Sequence, residues 1–274
     1  MQKTNSEYPI ELRRKSLLLL AEPSPVVKAA GTSQLLNAWN KNTIIVDIHT
    51  VLAPKLISQQ PIPGRPEKPE LVTPLTVKKR AMNTPEGRAA LVHALAHIEF
   101  NAINLALDAV WRFANMPTQY YIDWLKVAAE ESYHFSLLNE HLHLLGYEYG
   151  SFCSHNSLWE MVDKTKTDVL ARMALVPRTM EARGLDASPL LRNKLAQAGD
   201  KAAANILSII LRDEIGHVAI GNYWYNWLCK QRDLEPVSTY VKLAIKYGAP
   251  KMRGPFNLEA RRAAGFTEAE LALL

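Results

Sequence analysis

Three times in this chain a glutamate is followed three residues later by a histidine: Glu131–His134, Glu140–His143 and Glu214–His217. With 18 Glu and 8 His in 274 residues, random placement predicts about half an occurrence. Residues three apart share one face of a helix, so each pair could offer a carboxylate and an imidazole to the same ion. Two of the three pairs have company. Glu99 precedes Glu131 by 32 residues and Glu181 precedes Glu214 by 33, so Glu99, Glu131 and His134 recur as Glu181, Glu214 and His217 at offsets of 82, 83 and 83. Glu140–His143 has no such echo, because position 223 is Tyr223. Nine helical steps of about 100° each also turn Glu140 away from Glu131, toward solvent.

The elements that must hold these residues are helices. Thr84-Pro85-Glu86 is a start signal, with a capping threonine, a first-turn proline and an acid at the positive end of the dipole. The spacing predicts helix over about 86–113, and again over 118–145 up to Gly146. A third helix is expected over about 158–183, kinked at Pro177 and ended by Gly184, with a short helix near Ser188-Pro189. A fourth is expected over 200–231 and a shorter one over 237–247. Before them lie two short helices between Tyr8 and Trp39, with Ser24 as a cap, a β-branched run at 43–47, and a proline-rich stretch from Pro54 to Pro74 that should wrap in extended form. After the Gly254-Pro255 break, Asn257 and Thr267 should cap two short helices. The expected architecture is all-α: a four-helix bundle over 81–232, an N-terminal extension over 1–80 and a C-terminal helical extension over 233–274.

On this reading every long helix carries a glutamate on its apolar stripe. Glu99 lines up with Val92, Leu95, Ala102 and Ala106; Glu131 and His134 with Trp124, Val127 and Leu138. Glu181 lines up with Leu170, Ala174 and Pro177, and Glu214 and His217 with Leu207, Ile210 and Val218. A carboxylate facing a core costs several kcal/mol, roughly what only a charged partner offsets. No Lys or Arg stands on these stripes, and two divalent cations match four carboxylates in charge.

The pattern resembles the ferritin-like di-iron carboxylate proteins, in which two helices each supply a Glu and two supply Glu-x-x-His. Within them the whole chain resembles the DUF455 family. The resemblance rests on Ala96-His97-Ile98-Glu99, Glu130-Glu131-Ser132-Tyr133-His134-Phe135, the Leu170–Gly184 stretch with Met173 and Pro177, and Ile210-Leu211-Arg212-Asp213-Glu214-Ile215-Gly216-His217, together with Gly64-Arg65-Pro66 and Gly254-Pro255-Phe256-Asn257. It implies that Glu131 and Glu214 bridge two metal ions, that Glu99 and Glu181 are terminal ligands, and that His134 and His217 each serve one metal. Iron is the implied metal, with manganese or a mixed pair as alternatives. Asp213 and Glu130, each just before a bridging glutamate, would orient the histidine of the other half.

Other residues carry plainer expectations. His93 and His97 lie off the Glu99 stripe and suit surface or packing roles. His141 and His143 should face solvent, and the tryptophans and Tyr120, Tyr121 and Tyr133 should pack between helices. Arg13–Lys15, Lys78–Arg80 and Arg261–Arg262 read as solvated basic clusters. A hydrophobic content of 48% excludes wholesale disorder, and two cysteines, Cys153 and Cys229, exclude a disulfide scaffold or an all-cysteine metal site. The short apolar run after Arg13-Arg14-Lys15 stops at Glu22, too soon for a signal peptide. No apolar stretch reads as long enough to span a bilayer. These features point to a cytoplasmic protein. The functional expectation is an O2-activating oxidoreductase, an oxidase or monooxygenase acting on a small molecule with an external electron donor. A tRNA-modifying hydroxylase is the alternative that the net charge of +5 permits. A protein that handles iron or peroxide without an organic substrate is the other. Oligomeric assembly is compatible with all three.

Overall fold

The computed structural model describes residues 10–54, 60–78 and 80–274, and it is all-α apart from one small two-stranded sheet. The expected start at Tyr8, part of the proline-rich stretch (55–59) and Lys79 of the second basic cluster lie outside the described residues. Contacts divide the chain into two compact units, residues 1–66 with 102–133 and residues 67–101 with 134–274. Two long helices, α3 (Pro85–Arg112) and α4 (Thr118–Leu144), contribute to both.

In the first unit, β1 (Ile10–Glu11) pairs in parallel with β2 (Ile44–Ile45). The helices α1 (Leu12–Leu20) and α2 (Pro25–Asn40) stand where the capping signals put them, and the Ser24 side chain accepts from the Val27 amide. Arg13 corrects the expectation of a solvated basic cluster. It is fully buried, and its guanidinium donates to the backbone oxygens of Asp47 (2.7 Å), Thr50 (2.7 Å) and Trp111 (2.9 Å). The last of these is a carbonyl at the C-terminal end of α3, where cations are favoured. Lys28 is buried too. Its ammonium donates to Leu20 O (3.1 Å), Gly64 O (2.9 Å) and the Asn104 side chain. Residue 64 has to be glycine, since a Cβ there would lie 2.1 Å from the Ala21 carbonyl oxygen. The proline-rich segment is therefore docked through backbone contact.

The second unit contains α5 (Ser157–Lys164), α6 (Val169–Leu175), a π-helical segment (Val176–Glu181), α7 (Ala182–Gln197), α8 (Lys201–Gln231), α9 (Pro236–Tyr247), α10 (Leu258–Ala263) and α11 (Glu268–Leu271). The single helix expected over 158–183 is thus several pieces. Asp168 leaves helical geometry and caps α6 through the Leu170 amide, which breaks the rod. Pro177, instead of a simple kink, sits in a wide π turn closed by the Ala182 amide on Pro177 O. Gly184 does not end a helix: α7 runs through it to Gln197, with Pro189 in its interior. The carbonyl of Leu185, which the missing Pro189 amide would have bonded, accepts from the Asn257 side chain instead (3.2 Å). Asn257 and Thr267 do cap α10 and α11, the latter in a capping box with Glu270.

Burial corrects two further expectations and narrows a third to packing. His141 is buried rather than solvent-facing and lies 2.9 Å from Asp200, the N-cap of α8. His93 and His97 are buried, so a surface role is excluded. Arg261 is buried and forks onto the two Asp186 oxygens (3.0 and 2.6 Å). Among the described residues, α3 alone has the length and hydropathy of a membrane span, contrary to the expectation that no stretch does. Of its most apolar window, 78% is buried inside the protein, so that apolarity serves the core.

Candidate metal centre

Helix α3 presents Glu99 from a stretch in which Ala96, Phe100, Ala102 and Ile103 are all buried. Helix α4 presents Glu131 and His134 one turn apart, and α8 presents Glu214 and His217 likewise. All five side chains are buried, between 0% and 5% exposed. They form two overlapping groups whose ligand atoms lie within 4.8 Å of one another: Glu99, Glu131 and His134, and Glu131, Glu214 and His217. Glu131 belongs to both.

The hydrogen bonds assign the imidazole nitrogens. Nε2 of His134 lies 3.1 Å from Asp213 Oδ2, and an ionised carboxylate only accepts, so Nε2 carries the proton. Nδ1 then turns its lone pair toward Glu99 Oε2, 3.4 Å away. Nδ1 of His217 lies 3.3 Å from Glu214 Oε2, and the two imidazole rings are 5.8 Å apart. At His134 a lone pair faces a carboxylate oxygen inside the core, an arrangement that a cation between them relieves. The donor set of carboxylates plus imidazole is the hard and borderline mixture that suits iron or manganese. The residues present therefore fit a metal pair.

Burial works against ionisation of Asp213, but hydrogen bonds from Arg212 and His134 outweigh it and hold the carboxyl below its ordinary range. Arg212 forks onto Asp213 at 2.7 and 3.0 Å. Asp213 thus links an exposed guanidinium to a buried imidazole. Glu130 is 34% exposed in its side chain, with its carboxylate 3.8 Å from Lys126. Glu140 is exposed.

Glu181 is placed differently. It is half-buried, ends the π segment and is in neither ligand group. One turn on, at Gly184, a Cβ would touch Glu214 Cγ at 3.6 Å. Sequence reasoning read Gly184 as a terminator and missed that α7 runs on past it, close to a buried glutamate. It also missed Gly221, where a Cβ would lie 2.5 Å from Pro177 Cβ. The signal available was a glycine inside a strongly helical pattern with no break beside it.

On the same helix as Glu99, α3, two buried histidines pack against residues 149–155. His97 Nδ1 lies 2.8 Å from the Tyr149 hydroxyl, and its Nε2 lies 3.1 Å from His155 O. His93 Nε2 accepts from the Gly150 amide (2.9 Å). Burial, with the nearby Arg80 charge, pushes the His93 pKa down to about 4. A neutral, accepting imidazole is the form this packing requires.

The family model described as "Protein of unknown function (DUF455)" matches residues 21–272. An uncharacterized protein of Haemophilus influenzae is 54% identical over 225 residues, covering 80% of this chain and 78% of that protein. No solved structure matches. A match across nearly the whole chain and a relative of this identity make one conclusion firm: the chain belongs to the DUF455 family.

Proposed function

We propose that this protein is a non-haem di-metal protein, iron-loaded or mixed manganese–iron, that acts as an O2-dependent oxidoreductase on a small molecule. The observation that carries the reading is the doubled cluster of buried Glu and His around Glu131. In the ferritin-like four-helix reading, α3, α4, the π segment with its flanking helices, and α8 are the four ligand-bearing elements. The ligands are Glu99, Glu131, His134, Glu181, Glu214 and His217. A reduced metal pair supplies electrons to dioxygen when bound. The chain's own residues do the rest. Asp213 fixes the His134 tautomer so that Nδ1 faces inward. The five Glu and His side chains of the two compact groups are 0–5% exposed, which keeps bulk water from them. Arg212 keeps Asp213 ionised while remaining in contact with solvent.

The test is metal analysis of protein produced with iron, followed by the optical spectrum after Fe(II) is added anaerobically and O2 is then admitted. About two metals per chain and an oxygen-dependent absorption change are expected. Metal-free protein that neither takes up Fe(II) nor changes its spectrum would reject the reading. A salt-sensitive complex with tRNA in the same preparation would instead favour the hydroxylase alternative, and steady peroxide consumption without organic substrate would favour iron and peroxide handling.

A further inference from the structure

The π segment ends at Glu181, the one proposed ligand outside the two compact groups, and the C-terminal helices grip that segment from outside. Arg178 lies one turn before Glu181 and is 4% exposed. Its guanidinium donates to the buried carboxylate of Glu270 on α11. The rings of Tyr225, Phe266 and Tyr240 surround it, with centroids 4.6, 5.1 and 5.3 Å away. Arg178 Nε and Nη1 have no hydrogen-bond partner among the described residues, so Glu270 is the acceptor that holds this cation.

The segment is tied at further points. Thr179 Oγ1 donates to Ala174 O (2.8 Å) and lies 3.0 Å from the Tyr240 hydroxyl on α9. Just beyond Glu181, Ala182 and Leu185 pack with Ala260 and Ala264 of the tail and with Val218 of α8. Arg261 reaches Ala182 O and Asp186. Glu270 is itself fixed, because it accepts from the Thr267 amide (2.8 Å) and hydroxyl (2.9 Å). A π turn is a strained, easily re-registered piece of helix, and an outside clamp on its middle residue decides where its last residue points.

We propose that Arg178 and Glu270 are positioning residues for the metal centre. The buried Arg178–Glu270 pair locks the π turn in the register that offers Glu181, which makes the C-terminal helices part of the metal site although they supply no ligand. This rests on the di-metal reading above, and the experiment separates the two failures.

The experiment is anaerobic Co(II) titration of the full chain, followed by calorimetry and by the visible d–d bands, together with a melting curve. Wild type, Glu270→Ala and Asn222→Ala are compared. Asn222 donates to Ala264 O (2.7 Å) and so ties the same tail to α8 through a bond that involves no residue of the π segment. Both variants should melt lower than wild type. Glu270→Ala should also weaken one of the two Co(II) sites by about tenfold or more, the scale seen when a group that orients a ligand is removed, and should change the d–d bands. Asn222→Ala should keep wild-type affinities and bands. Should Glu270→Ala fail to fold, Glu270→Gln, which keeps the volume and an oxygen for the capping box, should show a smaller shift of the same kind. Lowered melting with unaltered Co(II) affinities and bands in the Glu270 variants would make the pair merely structural and overturn the proposal. A wild-type chain that binds no Co(II) would overturn the di-metal reading, and this one with it.

Discussion

Glu131 is the carboxylate common to both ligand groups, and Glu140, nine residues on, is an exposed residue of the same helix. Glu131→Ala should therefore lose both metals. Glu140→Ala should keep them and change stability by no more than about 0.5 kcal/mol. Metal-to-protein ratios of the two variants beside wild type decide this, and equal ratios in all three would mean that Glu131 is not a ligand. Asp213→Ala probes the tautomer argument. It frees His134 Nε2 and strands Arg212, and it should weaken metal binding by about 10- to 100-fold. Unchanged affinity in a competition titration would show that the imidazole is oriented by packing alone. His93 gives a pH prediction in the other direction. Its folded pKa, about 4, lies below the unfolded value of about 6.5. The unfolded chain thus binds the proton first, and stability that is complete above the unfolded pKa is lost as pH falls from there toward 4, by about 3 kcal/mol at most. His93→Gln, which can still accept from the Gly150 amide, should flatten the urea midpoint across that window.

At the scale of elements, two glycines of α8 make opposite predictions. Gly221 lies where a Cβ would sit 2.5 Å from Pro177 Cβ, so the crossing of α8 with the π segment depends on the missing side chain. Gly221→Ala should cost about 1–3 kcal/mol through overpacking. Gly216 faces open space, with nothing within 4 Å of a Cβ. Gly216→Ala should stabilise by about 0.5–1 kcal/mol, because an exposed helical glycine spends conformational entropy for no contact. Urea midpoints of the two variants should move in opposite directions; a shift of the same sign in both would contradict the crossing geometry. The same crossing explains why the helix expected over 158–183 is broken. Asp168 bonds the Leu170 amide and so starts a new helix. Further on, Pro177 meets Gly221 at a distance that a regular helix carrying side chains on both partners would not allow. Local signals such as the Ser24, Asn257 and Thr267 caps are short-range chemistry, and they are legible without tertiary knowledge.

For the molecule as a whole, a metal pair that only the folded chain can assemble must raise stability by mass action. Protein stripped by chelator should melt lower than the same protein saturated with Mn(II) under anaerobic conditions. The gap should widen with free metal concentration, and coincident melting curves would exclude a buried site that binds in the folded state. Both terminal regions should contribute as packed structure, since Arg13 and Arg261, both with a basic neighbour in sequence, are buried and held by long-range bonds. Nothing in a basic dipeptide distinguishes a solvated arginine from one that caps a distant helix; the partner carbonyls are 34 to 98 residues away.

What the residues determine by themselves is whatever repeats or acts within a few positions. The all-helical class follows from long apolar periodicity, and the helix starts follow from capping side chains. The five buried Glu and His residues follow from a spacing recurring at offsets of 82 and 83. Their separation from Glu140 is likewise a matter of helical angle. Tertiary structure decides what depends on residues far apart in the chain. It buries His141 against Asp200 and His97 against Tyr149, turns the surroundings of Pro177 into a π segment, and carries α7 on through Gly184 to Gln197. It also sets Glu181 apart from the compact ligand groups and places Arg178 in the grip of Glu270, 92 residues further on. The physical reason is one of range. Propensity, capping and periodicity act over one or two turns, whereas the fate of a buried charge is set by whichever distant group folding brings to satisfy it.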